Sequence, residues 1–293
     1  MRMGIDVGGT KIEGIVMDSA GHTVARLRRD TPAAEGYQAV VEAIASIVEG
    51  LEAEVKTSCT VGLGTPGALS LETGLMKNCN AVCINGKPLM VDLETRLRRQ
   101  VRLANDANCF TLSEAMDGAA AGKPVVFGVI LGTGVGAGIT FAGKVHNGPN
   151  SIAGEWGHNV LDAAGPPCYC GKAGCVETLL AGPSLLADYR RHGGELATDT
   201  TALVALASSG SDPQAQAAMD RYLDRFGRAM AAVINVLDPD AIVLGGGMSH
   251  VERLYVDGPA AVRRHIFSDG MLTPILRNQF GAASGVRGAC MLW

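Results

Sequence analysis

The stretch Met3-Gly-Ile-Asp-Val-Gly-Gly-Thr-Lys-Ile-Glu-Gly-Ile-Val-Met17 decides the fold of this chain. A short apolar strand, Met3 to Val7, runs into Gly8-Gly-Thr10, and a second strand follows from Ile12 to Met17. The second strand ends at Asp18-Ser-Ala-Gly21, which is a turn sequence. The pattern predicts two antiparallel strands joined through a glycine-rich bend, with a third strand from about Thr23 to Arg28.

The same plan recurs later in the chain. Val125 to Leu131 reads as a strand, Gly132-Thr-Gly-Val-Gly-Ala-Gly138 as a glycine-rich turn, and the next residues as a strand through Phe141. A third glycine-rich strand exit follows, where Ala241 to Leu244 runs into Gly245-Gly-Gly247. The duplicated plan predicts an α/β protein of two domains, residues 1–120 and 121–282. A C-terminal helix at about 283–293 could pack back on the first domain.

Helices and strands alternate between these turns. Apolar residues recur at helical spacing from Gly36 to Leu51, and Thr60 to Leu63 reads as a strand that ends in Gly64-Thr-Pro-Gly67. A helix is predicted at Leu93–Arg99, followed by a short strand, Val101 to Ala104. Such strand ends commonly deliver loops to a ligand site.

Composition excludes several functional classes. The 293 residues are 47% hydrophobic and 18% charged, so the chain can bury a large core. A net charge of -4 and only 4% aromatic residues argue against a broad nucleic-acid surface. No apolar run approaches the roughly 18 residues of a membrane span, and no secretion signal precedes the first strand. These features predict a cytoplasmic enzyme that binds neither nucleic acid nor membrane.

The glycine turns suggest phosphate binding. Without side chains, backbone N–H groups can approach phosphate oxygens closely, and a threonine hydroxyl adds a donor. Asp6, just before the first turn, is placed to hold Mg²⁺ through water. Neither the P-loop pattern nor the dinucleotide fingerprint is present, so Lys11 is an exposed hairpin residue or at most a phosphate neighbour.

Asn105-Asp106 lies where a strand turns into the helix Ala107 to Ala120. An Asp in this position is commonly only a cap for backbone N–H groups. In the functional interpretation, the helix N-terminus keeps Asp106 ionised and aims it at a substrate hydroxyl. A carboxylate that accepts the hydroxyl proton late is enough for phosphoryl transfer.

The segment from Glu155 to Glu177 contains one imidazole and three thiols, His158, Cys168, Cys170 and Cys175. Together they can supply the four ligands of a structural zinc site, and two acids frame them. Accidental clustering or a Cys-Xaa-Cys redox pair are the alternatives, although the redox pair leaves Cys175 and His158 unexplained. The remaining cysteines are interpreted as small buried residues: Cys59, Cys79, Cys83, Cys109 and Cys290.

Taken together, the motifs resemble those of the ROK sugar kinases (repressor, open reading frame, kinase), in the superfamily that includes hexokinase and actin. Asp6 to Thr10 resembles the first phosphate motif of that family, Gly132 to Gly136 the second, and Gly245 to Gly247 the adenosine loop. Residues 168–177 fit the family signature Cys-Xaa-Cys-Gly-Xaa-Xaa-Gly-Cys-Xaa-Glu at every fixed position. The resemblance covers essentially the whole chain and implies the two-domain actin-like ATPase fold of hexokinases, related to ribonuclease H, with the active site between the domains.

The resemblance implies a role for each matching residue. Asp106 is the implied catalytic base, and the implied cofactors are ATP, Mg²⁺ and a structural Zn²⁺ held by His158, Cys168, Cys170 and Cys175. The sugar is expected to contact Pro66, Gly67, Asn80, Asn105, Asp106, Glu155, His158 and Glu177. The nucleotide is expected to contact Asp6, Gly8, Gly9, Thr10, Lys11, Gly132, Thr133, Gly134, Gly136, Gly245, Gly246 and Gly247.

Within the family, four segments look most similar to bacterial fructokinases that also take mannose: Asn85-Gly-Lys-Pro88, Leu103–Cys109, Ala153–Asn159 and Pro167–Lys172. The resemblance therefore implies phosphorylation of the 6-hydroxyl of fructose. Kinases for N-acetylglucosamine, N-acetylmannosamine or glucose are the alternatives. ROK proteins include sugar-responsive repressors, but these carry a helix-turn-helix domain ahead of the kinase-like fold, and here the first phosphate strand starts at Met3. Homodimerisation through the larger domain is the family expectation.

Overall fold

The computed structural model describes residues 1–79 and 82–293 of the chain. Its strands are β1 (Arg2–Val7), β2 (Lys11–Met17), β3 (Thr23–Asp30), β4 (Thr60–Thr65), β5 (Ala68–Leu69), β6 (Met76–Lys77), β7 (Val101–Asn105), β8 (Val125–Leu131), β9 (Val135–Phe141), β10 (Lys144–Val145), β11 (Ala241–Gly245) and β12 (Ile275–Arg277). Its α-helices are α1 (Tyr37–Val55), α2 (Leu89–Leu97), α3 (Asp106–Met116), α4 (Val176–Leu180), α5 (Gly182–Arg191), α6 (Thr200–Ser209), α7 (Pro213–Leu237), α8 (Arg253–Val256), α9 (Gly258–Arg263) and α10 (Ser284–Cys290).

The first sheet has the strand order β3-β2-β1-β4-β7. The predicted hairpin is confirmed, because β1 pairs antiparallel with β2 and their turn contains Gly8 and Gly9. Strands β4 and β7 continue the sheet in parallel. The register sets Asp6 beside Gly64, and Thr65 beside Asn105. Since parallel strands end at one edge of a sheet, their carboxyl-terminal residues gather there.

The second sheet has the order β10-β9-β8-β11-β12. Strand β11 lies parallel to both β8 and β12, and its five residues are all buried. A fully apolar run is what a strand covered on both faces requires. Both β8 and β11 end in glycine-rich segments, as the sequence predicts.

Helix α1 covers one face of the first sheet with residues at helical spacing. Ile44, Ile47 and Leu51 are fully buried in the core cluster that includes strands β1, β2 and β4. A Cβ at Gly14 of β2 would lie 2.6 Å from the Ile47 side chain, so glycine lets the helix approach the strand. Each such buried side chain contributes about 1.5–3 kcal/mol.

The C-terminal helix α10 packs against α3, β1 and β4 through close backbone contacts. A Cβ at Gly288 would lie 1.7 Å from the Cys109 carbonyl oxygen, and one at Gly4 would lie 2.2 Å from the Val286 carbonyl oxygen. Any side chain at these positions would push the helix away. Glycine in both partners therefore fixes where α10 sits.

The chain divides into two compact units: residues 1–118, 138–153 and 282–293 form the first, and residues 119–137 and 154–281 form the second. The sequence placed 138–153 in the second domain, whereas the structure assigns this segment to the first. The cause is packing without a local signal, since a Cβ at Gly138 would lie 2.6 Å from the Ala107 carbonyl oxygen of α3.

Two smaller expectations also change. Helix α2 begins at Leu89, one turn before the predicted Leu93, and Pro88 is its N-cap residue. Cys83 is half-buried, while Cys59, Cys79, Cys109 and Cys290 are buried as predicted. In the described part of the chain, no helix combines the length and apolarity needed to cross a bilayer.

Candidate functional site

Asn105 and Asp106 form the start of α3 at the edge of the first sheet. Asn105 is the N-cap, and its Oδ1 accepts the Ala107 N–H at 2.9 Å. Asp106 is the first helical residue, and its Oδ1 accepts the same N–H at 2.8 Å. The cap position is therefore occupied by Asn105. The helix dipole favours a negative charge at Asp106, where the carboxylate lies in the first turn.

Asp6 lies near Asp106 within the first unit. The pKa of Asp6 is raised from 3.8 to about 6, first by burial and then by the negative charges of Asp106 and Glu13, while Lys11 opposes the shift. A group of carboxylates that repel one another in a buried setting is relieved by a bound cation. The donor set therefore fits Mg²⁺, which prefers carboxylate oxygens and water.

The loop after β4 is tied to Asn105. The Asn105 side-chain amide donates a hydrogen bond to the Gly67 carbonyl oxygen at 3.0 Å. Gly67 has a φ of 77°, and a Cβ there would lie 2.3 Å from the Lys77 carbonyl oxygen. Glycine is thus required at this position, and Pro66-Gly67 lies next to the start of α3. Asn80, the other predicted loop residue, lies outside the described residues.

The first glycine turn is closed at its base and open at its tip. The Gly8 N–H donates to the Lys11 carbonyl oxygen at 2.9 Å, and the Thr31 hydroxyl donates to the Gly8 carbonyl oxygen at 2.7 Å. Apart from its chain neighbours, no atom of the described residues lies within 4 Å of a Cβ built on Gly9, and Gly9, Thr10 and Lys11 are exposed. A phosphate group can therefore reach this backbone.

The second glycine turn is held by the helix that follows the cysteine cluster. The Val135 N–H donates to Glu177 Oε2 at 2.9 Å, and a Cβ on Gly134 would lie 2.7 Å from the same oxygen. The Gly182 N–H donates to the Gly132 carbonyl oxygen at 2.8 Å. Glu177, predicted only to bind sugar, thus also supports the second glycine turn.

A cavity of about 620 Å³ opens beside this turn within the second unit. It is lined by Gly132, Thr133, Gly182, Pro183, Asp199, Thr200, Thr201, Val204, Gly247, Met248, His250 and Val251. Of the three predicted adenosine-loop glycines, Gly247 lines the cavity, Gly245 ends β11, and Gly246 packs against Leu131. The volume is in the range of small-molecule and cofactor sites.

Sequence reasoning missed the contribution of the α6 N-terminus to this cavity. Asp199 caps α6 by accepting the Ala202 N–H at 2.8 Å, and the Thr200 hydroxyl donates to the Gly182 carbonyl oxygen. Asp-Thr-Thr before an apolar run is a helix-start signal. That signal locates the helix but does not indicate that its first turn lines a cavity.

The four predicted metal ligands converge. Their ligand atoms all lie within 4.8 Å of one another. His158 Nδ1 lies 3.5 Å from Cys168 Sγ, and Cys170 Sγ lies 3.6 Å from Cys175 Sγ. Tetrahedral zinc with bonds of about 2.3 Å to sulfur and about 2.0–2.1 Å to nitrogen separates two sulfurs by about 3.8 Å and a nitrogen from a sulfur by about 3.5 Å. The residues fit zinc.

The loop that carries these ligands depends on two glycines. Gly171 and Gly174 have φ values of 90° and 66°. A Cβ on Gly174 would lie 1.5 Å from the Asp162 carbonyl oxygen. Burial and the neighbouring thiols raise the pKa of Cys175 to about 12, so its thiolate requires a cation.

His158 lies at the end of a 3-10 helix, Glu155–His158, whose Trp156 packs edge-on against Phe127. Its second ring nitrogen, Nε2, lies 2.9 Å from the hydroxyl of Tyr169, a residue that is otherwise exposed. A sugar that uses Nε2 must displace this hydroxyl. Sequence reasoning passed over Tyr169, which stands between two ligands as the variable residue of the Cys-Xaa-Cys pair.

Each unit therefore brings together part of the predicted site. In the first, Asp6, Gly67, Asn105 and Asp106 lie at neighbouring strand ends. In the second, the cluster of His158 and three cysteines is joined through Glu177 to the glycine turn. The first set can orient a hydroxyl and accept its proton, and the second can hold phosphate and a nucleoside.

Known sugar kinases are similar to this chain over nearly its whole length. The model of the ROK family matches residues 2–293. An N-acetyl-D-glucosamine kinase of Escherichia coli K12 is 38% identical over 100% of this chain and 99% of its own length.

Two solved structures are similar over nearly the whole chain. The ROK hexokinase of Thermus thermophilus is 34% identical with a TM-score of 0.88, covering 99% of this chain and 97% of its own. A ROK family glucokinase of Streptomyces griseus, in complex with glucose and AMPPNP, is 26% identical with a TM-score of 0.78, covering 99% and 98%. The two-domain hexokinase-type fold is thereby confirmed.

Proposed function

Because this chain belongs to the ROK family, we propose that it is an ATP-dependent kinase that phosphorylates a hexose. One observation carries the proposal: a carboxylate in the first turn of α3, at Asp106, lies beside a second acid, Asp6, whose pKa is raised. An acid pair of this kind provides a proton acceptor and a cation-binding carboxylate at one sheet edge.

In the transfer step, the sugar hydroxyl oxygen forms a bond to the γ-phosphorus, and the bond from that phosphorus to the β–γ bridging oxygen breaks. ADP leaves, and the hydroxyl proton passes to the Asp106 carboxylate. Asn105 holds the adjoining loop through the Gly67 carbonyl oxygen. Positioning and charge neutralisation are the main contributions that such a reaction needs from a protein.

The nucleotide is assigned to the glycine turns. Backbone N–H groups at the tips of the turns, Gly9–Thr10 in the first unit and Thr133–Gly134 in the second, are the proposed phosphate donors, and the cavity lined by Gly247 and Met248 is the proposed adenosine site. Asp6 would hold Mg²⁺. When bound, the metal neutralises charge on the β- and γ-phosphates.

Zinc is assigned a structural role. His158, Cys168, Cys170 and Cys175 would hold it, and the metal would supply rigidity to the loop between Glu155 and Glu177. These two acids, with His158, are the proposed sugar ligands of the second unit.

Two sugars are candidates, and different observations favour them. The N-acetyl-D-glucosamine kinase at 38% identity favours N-acetylglucosamine. The sequence-based expectation of fructose, with mannose as a second substrate, rests only on short segments such as Asn85–Pro88 and Pro167–Lys172, so N-acetylglucosamine is the better supported substrate. A coupled ADP-release assay over these three sugars and glucose ranks them by kcat/KM. If none of the four is phosphorylated, the proposal is wrong.

The base assignment has its own test. Replacing Asp106 by Asn should lower kcat by a factor of about 10² to 10⁴, the range typical of lost general-base catalysis. The dissociation constant for the sugar should stay within a fewfold of the wild-type value. Asp92→Asn is a matched control, since Asp92 also lies in the first turn of a helix of the same unit and accepts a hydrogen bond from Tyr37. Normal turnover in Asp106→Asn would contradict the assignment.

A further inference from the structure

The side chain of Asn85 makes two hydrogen bonds to the backbone of one residue, Cys79. Its Oδ1 accepts the Cys79 N–H at 2.8 Å, and its Nδ2 donates to the Cys79 carbonyl oxygen at 2.7 Å. Backbone hydrogen bonds also join the two ends of this loop. The Met76 N–H donates to the Lys87 carbonyl oxygen at 2.9 Å, and the Gly86 N–H donates to the Met76 carbonyl oxygen at 2.8 Å. An Asn side chain that bonds both backbone groups of another residue replaces a rung of a β-ladder.

Cys79 in turn packs against the loop after β4. A Cβ on Gly67 would lie 2.7 Å from Cys79 Sγ and 2.8 Å from the Cys79 nitrogen. The Gly67 carbonyl oxygen accepts the side-chain amide of Asn105, which caps α3. Cys79 is also close enough to the helix start for the charge of Asp106 to add to burial in raising the pKa of its thiol to about 11.

Continuous contacts therefore run from Asn85 through Cys79 and Gly67 to Asn105, directly before Asp106. We propose that Asn85 is a positioning residue: it holds Cys79 against Gly67 and thereby fixes the loop on the sugar side of the Asn105-Asp106 helix start. The inference rests on the proposed function, because that function assigns Pro66-Gly67 and Asn105 to the sugar.

The alternative is that Asn85 only stabilises its own loop. In that case its loss would lower stability and affect sugar and nucleotide kinetics equally. A positioning role instead predicts a change confined to the sugar, because the contacts described above reach Asn105 and not the glycine turns.

Asn278 provides a matched control in the second unit. Its Nδ2 donates to the Leu244 carbonyl oxygen at 2.9 Å, and its Oδ1 accepts the Gly281 N–H at 2.8 Å. Asn278→Ala thus removes the same kinds of side-chain bonds to backbone as Asn85→Ala. It leaves the contacts between Asn85 and Asn105 intact.

The first measurement is independent of catalysis. Cys79 and Cys59 are each 5% exposed, so alkylation followed by peptide mass spectrometry can compare them in one sample. Asn85→Ala should raise the labelling rate of Cys79 relative to Cys59 by about tenfold, and Asn278→Ala should leave the ratio unchanged. An unchanged ratio of Cys79 to Cys59 labelling in Asn85→Ala would overturn the inference that Asn85 holds Cys79 in place.

The second measurement is kinetic. Asn85→Ala should raise KM for the hexose by about tenfold, with KM for ATP changed less than about twofold. Equal increases in both constants would overturn the positioning role. If Asn85→Ala does not fold, Asn85→Asp serves for both measurements, because it keeps the acceptor for the Cys79 N–H and loses only the donor. If the wild-type protein phosphorylates no hexose, the proposed function fails, while the labelling ratio still decides whether Asn85 holds Cys79.

Discussion

Replacing Asp6 by Asn should make this protein more stable and less active. The carboxylate of Asp6 has a pKa of about 6 instead of 3.8, first because it is buried and then because Asp106 and Glu13 are negative. The folded state therefore binds the proton more tightly than the unfolded state. The contribution of Asp6 protonation to the free energy of unfolding is fully present below about pH 4. It is lost as the pH rises through about 6.

The magnitude follows from the size of the shift. A difference of about 2 pKa units corresponds to about 3 kcal/mol at a pH well above 6, and to about half of that near pH 5. Asn has the same shape and no charge to bury. Asp6→Asn should thus be more stable than wild type by up to about 3 kcal/mol near pH 8, with the gain disappearing below about pH 4.

Urea unfolding of both proteins near pH 5 and near pH 8 measures this difference. Asp18→Asn is a control of opposite sign: N–H groups of His22 and Ala20 bond the exposed Asp18 carboxylate, which lowers its pKa, so its loss should not stabilise at high pH. A stability gain for Asp6→Asn that is equal at both pH values would refute the reasoning, because an effect of packing alone does not titrate.

The same variant tests the cation site. If Asp6 holds Mg²⁺ through water, Mg²⁺ with a non-hydrolysable ATP analogue should stabilise the wild type more than Asp6→Asn near pH 8. Turnover should fall in the variant despite its greater stability. Normal turnover with an unchanged Mg²⁺ requirement would remove Asp6 from the proposed site.

Three further predictions concern the second unit. Removing zinc with a chelator should lower the melting temperature and make the cysteine cluster reactive to thiol reagents. The reason is that structural zinc sites contribute about 10–16 kcal/mol in small domains. A metal-free protein with an unchanged melting temperature would contradict a structural zinc. Glu177→Ala should weaken binding of an ATP analogue by about fivefold without sugar present, because the Val135 N–H loses its acceptor. Glu177→Gln keeps an acceptor oxygen and should bind the analogue nearly as tightly as wild type. Equal affinities of the two variants in calorimetric titration would show that Glu177 does not support the glycine turn. Gly174→Ala should abolish zinc retention, measured by metal analysis, because its Cβ would meet the Asp162 carbonyl oxygen. Gly171→Ala is the control: its Cβ would point into open space, so the change should cost only about 1–2 kcal/mol of backbone strain. Zinc retained by Gly174→Ala would contradict the loop geometry.

The local patterns in the sequence were sufficient for several elements. The β1–β2 hairpin, strand β8 with its glycine turn, and the cluster of His158 with three cysteines are each contained within a short segment. Strand alternation, glycine at a turn and ligand spacing act over a few residues, so the sequence alone indicates them.

Other features had no local signal. Segment 138–153 joined the first unit through the contact of Gly138 with α3, and Asn85 was visible only as part of a motif until its bonds to Cys79 were known. Tyr169 read as a variable position, yet its hydroxyl contacts His158 Nε2.

The sequence by itself therefore determined which chemical groups this protein has and which turns and strands carry them. Tertiary structure decided which groups act on each other: the approach of Asp6 to Asp106, and the bond from Val135 to Glu177. The physical reason is that strand register and close packing set distances between residues far apart in the chain, and the burial that follows sets their charge. Neither quantity is encoded in the spacing of residues along a single segment.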